Sequence, residues 1–154
     1  MPILTKPWAL KSLLPLWPPY WGTGIRIEFV ADDYREIVVG MNLRWYNRNY
    51  VGTHFGGSLF AMTDPFYMLM LLKNLGHEYY IWDKAAAIDF VKPGLSKVSA
   101  HFSLSNEILE QIQHQTAGGE KYFVDFDVPI VDASRELVAK VVRTLYIRKK
   151  KEHR

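Results

Sequence analysis

The chain has 154 residues, no cysteine and a formal charge of +3. That length suits one domain, which buries roughly 68–70% of its unfolded surface and needs neither disulfide nor metal to hold a core. Absence of cysteine excludes a disulfide framework, a cysteine nucleophile and thiolate-bound zinc, and it fits a reducing cytoplasm.

Residues Thr5 to Leu16 read as a helix, with Thr5 as cap and Pro7 in the first turn. Leu10, Leu13, Leu14 and Trp17 form its apolar stripe, and Pro18-Pro19 ends it. Five prolines interrupt this apolar stretch and no small-residue cleavage site follows, so it does not read as a signal peptide. Trp8, Trp17 and Trp21 fit two roles. They are anchors that pack a terminal helix onto a sheet, or they mark a membrane-surface helix; few basic residues on the helical positions favour the anchors. Gly22 and Gly24 open a strand, Ile25 to Val30, and Ala31-Asp32-Asp33-Tyr34 turns the chain. A second strand, about Arg35 to Leu43, puts Ile37 and Val39 on one face and completes a hairpin. Residues Arg44 to His54 read as an ordered loop.

Gly56-Gly57-Ser58 leads into a long helix, about Ser58 to Leu75, that is apolar on nearly every side and ends at Gly76. Its longest apolar run, Phe66 to Leu72, is too short to cross a bilayer. Strands follow at Tyr79 to Val91 and Ser96 to Leu104, separated by Lys92-Pro93-Gly94. A helix from Asn106 to Thr116 is capped by Ser105 or Asn106 and ends at Gly118-Gly119. Lys121 to Val131 alternates, Asp132 to Arg135 turns, and Glu136 to Arg148 closes the sheet with Leu137, Ala139, Val141, Leu145 and Ile147. The order predicts an α+β fold in which one curved, largely antiparallel sheet wraps one buried helix, with an extra N-terminal helix over residues 1–20. The basic run at 149–154 reads as a solvated tail or as a patch for anions such as nucleotide phosphates.

The run Asn49-Tyr50-Val51-Gly52-Thr53-His54-Phe55-Gly56-Gly57-Ser58-Leu59-Phe60-Ala61-Met62-Thr63-Asp64 resembles the signature of hotdog-fold acyl-CoA thioesterases of the phenylacetate-degradation type. Ala86 to Gly94 resembles that family's strand-turn segment, and the similarity extends from about Gly24 to Arg148. Two positions depart from the pattern. Phe55 stands where the family has the histidine before Gly-Gly, with His54 one residue earlier, and Pro65 follows Asp64 where the family's helix continues. The resemblance implies a homodimer or homotetramer with sites between subunits and sheets joined edge to edge. It implies hydrolysis of an acyl-CoA to free acid and CoA, with no cofactor beyond the CoA of the substrate, no nucleic acid and no membrane insertion.

The amide N–H of Gly57 would hold the oxyanion, helped by the helix dipole and by the close approach that Gly56 and Gly57 permit. The glycines alone equally suit a tight turn. Asp64, on an otherwise apolar helix, is a general base or nucleophile, or caps the turn at Pro65. Asn49 positions the water or thioester, or serves its own turn, and His54 donates to the carbonyl or packs the loop. Ser58, Phe55 and Tyr50 would contact substrate, Trp45, Tyr46 and Tyr50 would line an acyl tunnel, and Lys92 or the tail would meet the nucleotide. His77, His101 and His114 lack ligand spacing, so no metal is assigned. Two rival functions stay open: an acyl-thioester dehydratase or hydratase pairing His54 with Asp64, and a non-catalytic acyl-CoA binder.

Overall fold

The computed structural model describes residues 6–151. Two short helices open it: α1 (Pro7–Leu13), continued by a 3-10 turn (Leu14–Leu16), and α2 (Pro18–Trp21). Then come β1 (Ile25–Val30), β2 (Glu36–Met41), α3 (Gly56–Ala61), α4 (Phe66–Leu75), β3 (Tyr79–Phe90), β4 (Val98–Ser103), α5 (Asn106–Gln115), β5 (Tyr122–Asp132) and β6 (Leu137–Lys149). The strands form one antiparallel sheet in the order β1-β2-β4-β5-β6-β3.

The sheet follows the period-2 patterning. Ile37 and Val39 of β2, Val98, Ala100 and Phe102 of β4, and Val141, Leu145 and Ile147 of β6 all point into the core. Against them pack Phe66, Tyr67, Met70, Leu71 and Leu75 of α4. The rings of Phe66 and Phe102 lie 5.0 Å apart, and Tyr67 stacks on Phe126 at 3.9 Å. Ser105 caps α5 by accepting from the Ile108 amide at 3.3 Å. Gly76 ends α4 at φ 81°, where a side chain would be strained.

The long helix runs from Gly56 to Leu75 in two pieces. A break at Met62 to Pro65 separates α3 from α4, as Pro65 demands, because it brings no N–H to the helical ladder. With α4 packed on one side of the curved sheet, the result is the hotdog fold.

The amino terminus differs from expectation. Thr5 lies outside the described residues; the first helical stretch stops at Leu16 with Trp17 extended before the prolines, as expected, but Pro18-Pro19 also starts a second helix, α2. Proline suits the first helical turn, where its missing N–H has no intrahelical acceptor to meet. The anchors are Ala9, Leu10, Leu14 and Tyr20, whereas Trp8, Trp17 and Trp21 are exposed. The basic run also begins within the fold. Lys149 ends β6, the Lys150 amide donates to the Glu78 carbonyl at 2.8 Å, and the Lys150 ammonium sits over the Tyr80 ring.

Phe66→Ala is expected to cost about 3–5 kcal/mol, since it empties a fully buried site between α4 and β4. Tyr50→Ala, on a fully exposed side chain, should stay within about 0.5 kcal/mol. Urea unfolding midpoints at constant slope check both.

Candidate functional site

The loop between β2 and α3 is held by two asparagines. Asn47 is buried; its Oδ1 accepts from the Arg44 amide at 2.7 Å and its Nδ2 donates to the Thr23 and Asn42 carbonyls at 2.7 and 2.8 Å. Asn49 closes its own turn. Its Oδ1 accepts from the amides of Val51 and Thr53 at 3.1 and 3.0 Å, and its Nδ2 donates to Thr53 Oγ1 at 2.9 Å and the His54 carbonyl at 3.4 Å. Both lone pairs and both amide hydrogens of Asn49 are engaged within the loop. The structure gives it the turn role in this subunit.

His54 is buried behind that turn. Its amide donates to the Gly94 carbonyl at 2.9 Å and its Nε2 lies 2.8 Å from the Ser96 carbonyl. A carbonyl only accepts, so Nε2 carries the proton and Nδ1 is an acceptor. Among the described residues nothing donates to Nδ1. Burial lowers the His54 pKa, and the Ser96 carbonyl opposes this in part. The side chain is therefore a neutral imidazole turned toward the β3–β4 connection.

After this turn the chain enters α3 at Gly56-Gly57. A side chain at either glycine would have to displace a neighbouring phenylalanine ring. A Cβ on Gly56 would lie 2.9 Å from the Phe90 ring, and one on Gly57 would lie 2.4 Å from the Phe55 ring. The Ser58 and Leu59 amides bond back to the Phe55 carbonyl. Those of Gly56 and Gly57 meet no acceptor among the described residues. Two open clefts of about 420 Å³ flank the turn. One is lined by Gly57, Ser58, Phe55, Ala61, Tyr46 and the α2–β1 connection. The other is lined by Gly56, Asn49, His54, Phe90 and Lys92 to Gly94. Tyr46 thus reaches a cleft, while Trp45 and Tyr50 are largely exposed.

At the far end of α3 stands a group that the sequence reading missed. Arg143, on the inner face of β6, is buried, with 4% of its side chain exposed. Its Nε and one terminal nitrogen donate to Thr63 Oγ1 at 3.2 and 3.1 Å, and that nitrogen also donates to the Phe60 carbonyl at 3.3 Å. The other terminal nitrogen bridges the carboxylates of Asp64 at 3.0 Å and Asp83 at 3.4 Å. The Asp64 side chain is 51% exposed, so it is neither buried nor a cap: α4 carries no side-chain cap. A β-bulge between Asp83 and Ala85 lets β3 aim Asp83 at this centre. Tyr20 of α2 donates its hydroxyl to the Asp64 carbonyl, and burial, then the Asp64 charge, raises the Tyr20 pKa.

Within one subunit these residues make two groups. The glycine turn, His54 and Asn49 lie at the start of α3. Asp64, Arg143 and Asp83 lie past its end, about 9 Å further on for six residues at 1.5 Å rise. Lys92 lines the cleft beside Gly56 and His54. Its ammonium bonds Asp132 at 2.7 Å and also Glu136, so two carboxylates already neutralise the charge expected to meet a nucleotide. Their hydrogen bonds raise its pKa.

Burial pushes the Asp83 carboxyl above its ordinary value of 3.8, and Arg143 opposes the shift. The folded chain then holds this proton more tightly than the unfolded one, so stability falls as pH rises from 3.8 through the raised value. Asp83→Asn is expected to flatten that part of the stability curve, measured as urea midpoints from acid to neutral pH.

Several solved structures share the fold. A Pseudomonas aeruginosa protein of unknown function aligns with a TM-score of 0.79 at 17% identity, over 91% of this chain and 93% of that one. A thioesterase from Haemophilus influenzae gives 0.65 at 16%, over 92% and 90%. The PaaI protein of the E. coli phenylacetic acid degradation operon gives 0.61 at 18%, over 90% and 88%. No curated protein matches the chain in sequence. A family model described as a domain of unknown function, DUF4442, matches residues 7–147. That match spans nearly the whole chain, and the chain belongs to the DUF4442 family.

Proposed function

We propose that the protein hydrolyses an acyl-CoA thioester to the free acid and CoA. The observation that carries this reading is the Gly56-Gly57 turn, whose two amides meet no acceptor among the described residues and lie between two clefts. Its sequence resemblance and shared fold with thioesterases support the same reading. The thioester oxygen would accept from the Gly57 amide, where the α3 dipole adds positive potential. Water, deprotonated by the Asp64 carboxylate, would add to the carbonyl carbon. The C–S bond then breaks and the proton passes to the leaving thiolate. Arg143 would hold Asp64 in place as a positioning residue.

The two groups lie about one helix length apart within a subunit, so the complete site would combine the glycine turn of one subunit with Asp64 of another. Assembly is supported by β3, an edge strand of 12 residues that pairs only with β6 and exposes Ala85, Ala86 and Ala87. The apolar helix contributes less to assembly, because α4 is largely covered by its own sheet. The His54 ring is turned toward the Ser96 carbonyl, where its Nε2–H is spent, and this weighs against the dehydratase alternative.

A panel of acyl-CoAs with a thiol-reactive dye should show release of free CoA. A changed acyl chain without CoA release, or binding alone, would overturn the reading. Asp64→Asn is expected to lower kcat by at least about 10²-fold with little change in KM. Near-normal CoA release by this variant would remove Asp64 from the chemistry. Sedimentation at micromolar concentration should find a dimer or larger; a stable folded monomer with full activity would refute the shared site.

A further inference from the structure

We propose that the amino-terminal segment docks the protein on the surface of an anionic phospholipid bilayer. Trp8, Leu16, Trp17 and Trp21 are 63%, 59%, 50% and 66% exposed, although every one lies within three residues of a buried anchor. At 100° per residue, Trp8 and Lys11 of α1 fall opposite the stripe of Ala9, Leu10 and Leu14 that faces the core. Trp17 immediately precedes the single turn of α2 and Trp21 ends it. Isolated exposed apolar residues are ordinary, but four along one segment form a patch that calls for a partner.

The chemistry of the patch selects the partner. Tryptophan joins a large apolar ring to one N–H donor, which suits the headgroup layer better than either water or hydrocarbon. From residue 1 to residue 27 the chain carries Lys6, Lys11 and Arg26 and no acidic residue, and Lys6 and Lys11 are exposed. That charge complements acidic lipid. Helices of 7 and 4 residues are too short to span a bilayer, so the segment would lie in the interface plane.

The patch also adjoins the candidate site. Pro19, Gly22 and Thr23 form one wall of the cleft at Gly57, and Tyr20 bonds the Asp64 carbonyl. Docking would hold this cleft at the layer where long-chain acyl thioesters, as amphiphiles, accumulate. This link to substrate rests on the thioesterase reading; the docking does not.

Flotation of the full chain with vesicles tests it, using phosphatidylcholine alone and phosphatidylcholine mixed with phosphatidylglycerol. The expected result is salt-sensitive binding to the mixed vesicles with a blue shift of tryptophan emission. Trp8→Ala/Trp17→Ala/Trp21→Ala should lower partition at least about tenfold, and Lys6→Glu/Lys11→Glu about tenfold or more with the fold intact. If the tryptophan variant fails to fold, the lysine variant decides. Absence of vesicle binding, or equal binding by the folded variants, overturns the proposal. So does loss of the oligomer in the tryptophan variant without any effect on vesicles, which would assign the patch to a subunit interface. CoA release from a soluble short-chain substrate is measured in parallel without lipid. Release without vesicle binding sinks the docking alone, and vesicle binding without release sinks the thioesterase reading alone.

Discussion

Arg143 places a full positive charge on the inner face of a strand whose other inward residues are Ala139, Val141, Leu145 and Ile147. Taking a guanidinium out of water costs several kcal/mol unless its donors and charge are met. The surroundings meet both requirements. Thr63 and the Phe60 carbonyl take the hydrogen bonds from one side, and Asp64 and Asp83 supply opposite charge from the other. The Met62–Pro65 break is what makes this geometry available. In an unbroken helix the Phe60 carbonyl would accept from the amide four residues on; here the turn redirects it, and it accepts from the Thr63 amide at 3.2 Å, the Thr63 hydroxyl at 2.8 Å and Arg143 at 3.3 Å. The residue that interrupts the helix and the residue that fills the interruption are parts of one solution.

The same junction ties the amino-terminal segment to the site. Tyr20 is buried in α2 and bonds the Asp64 carbonyl, so a segment outside the sheet fixes the backbone of the carboxylate that points at Arg143. Its other anchors, Leu10 and Leu14, join the main core. The extension is therefore structural at its inner face, whatever meets its outer one.

Strand positions, the hairpin, the α5 cap and the helix stop at Gly76 were legible in the sequence, because each rests on local chemistry: alternation, a serine before a helix, a glycine at positive φ. The break at Pro65 was legible for the same reason. Arg143 was also within reach. Leu137, Ala139, Val141, Leu145 and Ile147 keep strict period-2 spacing except for one skipped position, and that position is Arg143. A charge in phase with a buried row is a strong signal, and its omission hid the partner of Asp64. Three other features depend on distant parts of the chain and left no local trace. Lys92 meets Asp132 and Glu136 only after β5 and β6 return beside it. Asp83 reaches Arg143 through a bulge. The tryptophans at 8, 17 and 21 are as apolar as Leu10 and Leu14, and only the packing of α1 and α2 against the rest of the chain decides which of them face the core.

The exchange of the expected histidine for Phe55 changes what the glycine turn can offer a substrate. His54 does not take over the missing position, because its ring is turned toward Ser96 and its protonated nitrogen is spent there. The polar groups left at the start of α3 are then backbone amides, set between the rings of Phe55 and Phe90. Amide donors fixed by a helix need no reorganisation when charge develops on a bound oxygen. Such a turn would polarise a carbonyl without a titrating group of its own. Any pH dependence of the proposed hydrolysis would then originate at the other end of α3, where Asp64 and Asp83 share one arginine and burial holds the second carboxyl above its ordinary pKa.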